Sequence, residues 1–210
     1  MMLAIDQTWA RPSSLIVMSI RSGATQHVSQ SDDALLLTYR RGDDDAFRVL
    51  YLRHRDRVWR FIRRMVADAN QAEETAQEVW LAVVAGRHAF AYRSKFTTWL
   101  FAIAHRRAIH RLRSNGRNLE STIDDWDALA AQSDINASPD ALAQDEEDAQ
   151  RLHRAVAALP LAQREVFLMR SEGGLDVDEI AAATGCTHET AKTRLRYAYA
   201  RLRRALEVDP

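Results

Sequence analysis

Residues 177–206 read VDEIAAATGCTHETAKTRLRYAYARLRRAL, and this stretch decides the fold. It predicts a short helix from about Val177 to Thr184, a turn at Gly185-Cys186 and a last helix from about His188 to Leu206. Ile180 and Ala181 precede Gly185 by four or five residues, and Ala191 and Leu195 follow it. That is helix-turn-helix spacing: a small residue where two helices cross, a glycine for the tight turn, and apolar residues that lock the angle. Ala191, Leu195, Ala198 and Leu202 form the buried stripe of the last helix, while Glu189, Thr190, Thr193, Arg196 and Tyr197 lie opposite, flanked by Lys192 and Arg194. Between Lys192 and Arg204 stand six cations and no acid, so the helix has no acid–base pairs of its own to make. Cations in that arrangement suit phosphate contacts, and Arg196 or Thr193 is placed to reach base edges in a major groove.

Working back along the chain, Leu152, Val156 and Leu159 mark one helix, Pro160 a break, and Val166, Phe167 and Met169 a second helix that ends at Gly173-Gly174. Residues 151–207 thus make one small helical domain. Residues 114–150 differ in character: Ser, Asn, Gly, Asp and Glu dominate, Pro139 interrupts, and Ile123, Trp126 and Leu129 give the local apolar content. This is a flexible acidic linker, with a short helix near its end.

Residues 32–113 form a second helical domain, in which apolar residues recur every three or four positions. Asp32 and Asp33 precede Leu35, Leu36 and Tyr39, and Arg41-Gly42 ends that helix. Asp43 to Asp45 offer an N-cap to a longer run through Phe47, Leu50, Tyr51, His54, Val58, Phe61, Ile62 and Met65. After Asp68-Ala69-Asn70 a third helix puts Ala72, Ala76, Val79 and Val83 inward and Glu73, Gln77 and Trp80 off that stripe, ending near Gly86. Residues 87–95 lack periodicity and interleave Phe90 and Tyr92 with Arg87, Arg93 and Lys95. Aromatic faces among cations suit single-stranded nucleic acid, although Phe90 and Phe96 serve equally well to close the core. In the helix over 97–113, Leu100, Ala104, Ala108 and Leu112 form the core stripe. Trp99, Ile103, Arg106, His110 and Arg113 share another side, where an exposed Trp beside arginines calls for a cover such as nucleic acid.

The formal net charge is zero, but the balances over 1–33, 34–113, 114–150 and 151–210 are −1, +8, −9 and +2. Two basic domains on an acidic connector point to a polyanionic partner. A single cysteine, Cys186, excludes an intramolecular disulfide and a thiolate zinc site, which fits a reducing compartment. Leu15 to Met18 is far too short for a membrane span or a signal core, so residues 1–31 are expected to be a flexible extension and the chain to be cytoplasmic, without membrane insertion. His105 and His110 are five apart with no Glu between them, so they do not form the paired-histidine motif of a metal hydrolase, and no Gly-rich phosphate loop is present. Neither catalytic residues, metal nor cofactor is expected.

The same residues resemble the extracytoplasmic-function sigma factors, two-domain specificity subunits of bacterial RNA polymerase. Asn70-Gln71-Ala72-Glu73-Glu74-Thr75-Ala76-Gln77-Glu78-Val79-Trp80 is similar to the family's core-polymerase-binding helix, and Phe96-Thr97-Thr98-Trp99-Leu100-Phe101-Ala102-Ile103-Ala104 to the start of its minus-ten-reading helix. Leu159-Pro160, Gln163 to Phe167, Glu179-Ile180-Ala181 and Gly185-Cys186 resemble its minus-thirty-five-reading domain. The resemblance implies that Glu74, Gln77, Glu78 and Trp80 dock on core polymerase. It implies that Arg93, Lys95, Phe96, Trp99, Arg106 and His110 hold the opened minus-ten strand, and that Thr190, Lys192, Thr193, Arg194, Arg196 and Tyr197 read the minus-thirty-five duplex. It also implies an anti-sigma factor as a partner. Arg106 and His110 stand where the family usually has Asn and Asp, and Glu189 where it has Gly, so the family's base preference is not carried over to these positions. The competing reading is a helix-turn-helix regulator that binds promoter DNA without core polymerase; it leaves the Glu73 to Trp80 face without a task.

Overall fold

The computed structural model describes residues 27–88, 90, 94–115 and 143–207, which hold eight α-helices and no strand. The expected extension before His27, the linker residues 116–142 and Arg93 lie outside the described residues. The backbone gathers into two compact units that divide between Leu50 and Tyr51.

In the first unit, α1 (Asp32–Arg40) is capped by Ser31, whose hydroxyl accepts from the Ala34 N–H at 3.3 Å, so Asp32 and Asp33 fall in the first turn where the helix dipole favours them. Leu35, Leu36 and Tyr39 are buried. Gly42, at φ 101°, makes the turn that a side chain would resist. Asp43 then caps α2 (Asp44–Met65) by accepting from the N–H groups of Asp45 and Ala46, and its other oxygen lies 3.0 Å from His27 Nε2. Tyr39 stacks on Phe47 with centroids 4.8 Å apart.

The second unit takes the rest of α2, then α3 (Ala69–Gly86), α4 (Phe96–Ser114), α5 (Ala143–Ala157), α6 (Leu161–Ser171), α7 (Val177–Thr184) and α8 (His188–Glu207). Asp68 caps α3 through the Gln71 N–H at 2.8 Å. Val58, Phe61, Ile62 and Met65 of α2 are fully buried, and Phe61 meets Phe101 of α4 edge to face at 5.5 Å, a geometry that adds about 0.5–1.5 kcal/mol to the burial itself. The predicted α4 stripe of Leu100, Ala104, Ala108 and Leu112 is buried. On α3 the inner stripe is Ala72, Thr75, Val79 and Val83; Thr75 replaces the expected Ala76 because its hydroxyl donates to the Gln71 carbonyl of its own helix at 2.7 Å and so enters the core satisfied.

In the C-terminal part of this unit α5 and α6 both pack on α8, and α7 packs on α6 and α8. α5 begins at Ala143, inside the stretch assigned to the linker. Asp176 and Glu179 form a reciprocal capping box on α7, and Gly185, in the left-handed region at φ 72°, closes it. Ile180 and Ala181 are buried with Ala191, Leu195, Ala198 and Leu202, as helix-turn-helix spacing requires.

His153 of α5 is half-buried near Arg64 and Arg63 of α2; burial first, and the two guanidinium groups second, hold its imidazole below the ordinary value. The unfolded chain takes up a proton there at pH ~6.5 and the folded chain only at lower pH, so this group costs stability as pH falls through the unfolded value. His153→Gln is expected to flatten the dependence of the melting temperature on pH just below that point. A slope equal to that of the unchanged protein would show that His153 does not supply it.

Candidate nucleic-acid interface

Two faces carry the residues expected to meet DNA. On α8, Lys192, Arg196 and Tyr197 are exposed and Thr190 and Thr193 half-buried, on the side away from the buried stripe. The Arg196 guanidinium lies over the Tyr197 ring at 5.2 Å, a cation–π contact that extends the side chain along the helix surface. Thr190 and Thr187 share a hydrogen bond of 2.8 Å at the helix start, where the Thr187 hydroxyl also accepts from the Thr190 N–H at 3.2 Å. Contrary to the expectation from its sequence, the helix does make an acid–base pair of its own. Lys192 lies 3.8 Å from Glu189, and Arg194 donates to Glu165 of α6 at 3.1 Å. Arg194 is therefore drawn toward the domain interior, and Arg196 is the more available of the two arginines.

The second face belongs to α4. Arg106, His110 and Arg113 are exposed together, but Ile103 of the same predicted side is buried. Trp99 is half-buried, edge-on to Phe90 at 5.2 Å and tilted to Phe96 at 6.1 Å. A Cβ on Gly86 would lie 3.1 Å from the Trp99 ring, so the indole is seated against the end of α3 as well. Phe96 is 1 % exposed and Phe90 3 % exposed; both close the core, and Phe96 is not an open stacking platform in this arrangement. Lys95 pairs with Glu179 of α7 at 2.9 Å.

The face expected to meet core polymerase lies on α3. Glu74 and Gln77 are exposed, Glu78 and Trp80 half-buried, and Trp80 meets Tyr51 of α2 edge to face at 4.9 Å. Arg111 of α4 bridges Glu74 at 3.2 Å and Glu78 at 2.9 Å, and Arg107 approaches Glu78 at 3.6 Å. The exposed Leu81 and Leu52 add apolar surface on α3 and α2.

A third set of charged contacts was not legible in the sequence. Glu172, 8 % exposed at its side chain, accepts from Arg60 at 2.9 Å and Arg64 at 2.6 Å, and its carbonyl accepts from Arg57 at 2.6 Å. Glu165, also nearly buried, lies 2.8 Å from His105. Glu179 accepts from Lys95 at 2.9 Å and from the Thr98 hydroxyl at 3.0 Å. Partial burial pushes the Glu179 carboxyl up, but the Asp176 N–H, Lys95 and Thr98 together outweigh it and hold the group below its ordinary range. Among the described residues no group of His, Cys, Asp and Glu is placed to hold a metal ion, and no helix is long and apolar enough to cross a membrane.

With the exposed basic faces of α8 and α4 and the α3 face in view, the comparisons with known proteins agree on one family. Sigma-70 region 2 matches residues 50–118, and Sigma-70, region 4 matches residues 149–202. The chain is 33 % identical to the ECF RNA polymerase sigma factor SigK of Mycobacterium ulcerans over 86 % of its length and 97 % of that protein's. It is 35 % identical to the ECF RNA polymerase sigma factor RpoE of Cereibacter sphaeroides over 77 % of its length and 86 % of the relative's. Among solved structures, the sigma factor RpoE of Bartonella quintana in complex with the anti-sigma factor NepR is similar at a TM-score of 0.61 and 23 % identity, covering 78 % of this chain and 98 % of that one. CnrH, solved with the cytosolic domain of CnrY, is similar at a TM-score of 0.62 and 19 % identity, covering 86 % and 100 %. The chain belongs to the extracytoplasmic-function sigma factors of RNA polymerase. Its function is accordingly that of a polymerase specificity subunit that directs initiation at promoters, and the reading of it as a regulator that never engages core polymerase is set aside.

Proposed function

We propose a division of labour among the three faces. The α8 face, Thr190, Lys192, Thr193, Arg196 and Tyr197, with Arg194 beside it, reads the minus-thirty-five duplex in its major groove. Lys95, Trp99, Arg106 and His110, with Arg93 and Phe96, hold the opened strand of the minus-ten element. Glu74, Gln77, Glu78 and Trp80 dock on core polymerase. The observation that carries this reading is the pair of basic faces, on α8 and α4, each exposed opposite a buried stripe of its own helix. Phe96 enters strand binding only if the α4 start rearranges, since its ring is in the core.

The chain acts in the cytoplasm, where the polymerase works, and contributes no catalytic group; bond formation belongs to the polymerase core. The acidic stretch between the two parts, −9 over residues 114–150, is suited by charge to a basic channel that otherwise holds nucleic acid. An anti-sigma factor is a further partner, a reading supported by the complex in which the similar Bartonella quintana protein was solved.

The experiment is reconstituted transcription with bacterial core polymerase on genomic promoter fragments, with and without this protein. Initiation at defined start sites that depends on the protein supports the reading. Trp80→Ala is expected to weaken core association about ten-fold or more, because buried tryptophans dominate interfaces of this kind, while leaving binding of a minus-thirty-five duplex unchanged. Equal loss of both activities would mean that Trp80 supports the fold and not the polymerase contact.

A further inference from the structure

Glu165, Glu172 and Glu179 all come from the C-terminal part of the chain, and all three meet donors of the region 2 part. The glutamate side chains are 10 %, 8 % and 16 % exposed, while Arg60 and Lys95 keep 48 % and 66 % of theirs open. The donors they occupy are His105, the Arg57, Arg60 and Arg64 row of α2, and Lys95 with Thr98 at the start of α4. Arg57, Arg60 and Arg64 recur at three and four residues and so share one side of α2. Lys95 and Thr98 flank the residues proposed to hold the opened strand. A carboxylate at 2.6–3.0 Å from guanidinium, ammonium and hydroxyl donors makes the contacts that a phosphate oxygen would make.

We propose that the three glutamates are an intramolecular latch, in which the region 4 part competes with promoter DNA for the cationic donors of region 2 and keeps the free protein in a self-inhibited, closed state. Glu172 is the anchor: it takes two charged bonds from α2, and the backbone carbonyl beside it takes a third. Glu179 is the competitor, because it sits on Lys95 and Thr98, at the mouth of the strand-binding face. Being tethered, the carboxylates act at an effective concentration of about millimolar order, which a dilute single strand must overcome. Core polymerase or a correct promoter opens the latch by offering each part a better partner. The competition half of this proposal rests on the strand-binding role given above to Lys95 and Trp99; the latch itself does not.

The test uses the full chain with Glu172→Gln and Glu179→Gln together. Both amides keep the shape, and the amide oxygen introduced by Glu179→Gln can still accept from the Asp176 N–H that completes the α7 cap. A variant of equal charge, Asp44→Asn with Glu73→Gln, serves as the control, since both residues are exposed and neither lies in the closing contacts. Dyes on cysteines introduced by Arg113→Cys and Arg203→Cys, in a Cys186→Ser background, report the separation of the two parts by energy transfer. A fluorescein-labelled single strand of about 20 mixed nucleotides, longer than the stretch one such face covers, reports backbone binding.

The latch variant is expected to show lower energy transfer than the control, and single-strand affinity at least about five-fold above it, within the span of typical couplings between sites. Arg60→Gln with Arg64→Gln opens the same contact from the other side and is expected to lower the energy transfer as well. Unchanged transfer in both helically intact variants overturns the latch. Lower transfer with affinity equal to the control overturns the competition. Adding Lys95→Ala and Trp99→Ala to the opened variant separates the two ideas: if affinity does not fall, the strand-binding assignment fails while the transfer measurement still decides the latch.

Discussion

Arg196→Ala is expected to reduce binding to a promoter duplex by roughly 5- to 150-fold, the equivalent of about 1–3 kcal/mol for a bidentate base contact. Arg196 is exposed, lies on the face of α8 opposite Ala191, Leu195, Ala198 and Leu202, and is extended over the Tyr197 ring. Arg194, two residues earlier, is partly committed to Glu165 and offers less. Guanine presents two acceptors in the major groove that match the guanidinium fork, so the loss is expected to concentrate at one base pair of the minus-thirty-five element. Anisotropy titrations against duplexes that differ at single positions measure it. A uniform loss across all duplexes would make Arg196 a phosphate contact and move base reading to Thr193 or Lys192.

The second large effect is on stability. Gly173 is buried at the end of α6, where an added Cβ would fall inside contact distance of the Met169 carbonyl oxygen and 2.6 Å from Leu175 Cδ1. Neither neighbour is free to retreat. Met169 O accepts from the Leu175 N–H, and Leu175 is fully buried. Gly173→Ala is expected to cost about 2–3 kcal/mol by overpacking, a fall in melting temperature on the order of 5–10 °C for a chain of this size. Gly185→Ala is the contrast: nothing lies within 4 Å of its Cβ, and only the left-handed backbone at φ 72° resists, which costs roughly 1 kcal/mol. Paired thermal melts decide between them. Equal losses would mean that Gly173 has room the packing does not display.

The local pattern of the sequence carried most of the helices and their buried stripes. Leu100, Ala104, Ala108 and Leu112, and Ala191, Leu195, Ala198 and Leu202, were legible because spacing by three and four residues puts them on one side of a helix whatever the neighbours are. Where the structure differs, the reason is a bond that periodicity does not encode. Thr75 enters the core by satisfying its hydroxyl within its own helix. Ile103 and Phe96 were counted with a DNA-facing side and are covered by packing. The most consequential feature, the meeting of Glu165, Glu172 and Glu179 with donors of region 2, joins residues 60 to 115 positions apart. Acids so far from their cations look like ordinary solvated charges in a single sequence. Arg93 and linker residues 116–142 belong to the stretches outside the described residues.

Arg111 gives the face proposed to dock on polymerase an unusual starting point. Its guanidinium already holds Glu74 and Glu78, so those carboxylates do not wait in water for a cation. If the proposed docking sets a cationic group of the polymerase against them, it exchanges one ion pair for another, with little change in the number of ion pairs or released counterions. The charges define orientation and exclude acidic partners. On the proposed docking, the free energy of holding on falls instead to Trp80 and the exposed Leu81, so attachment to the polymerase should be governed more by dehydration of apolar surface than by ionic strength.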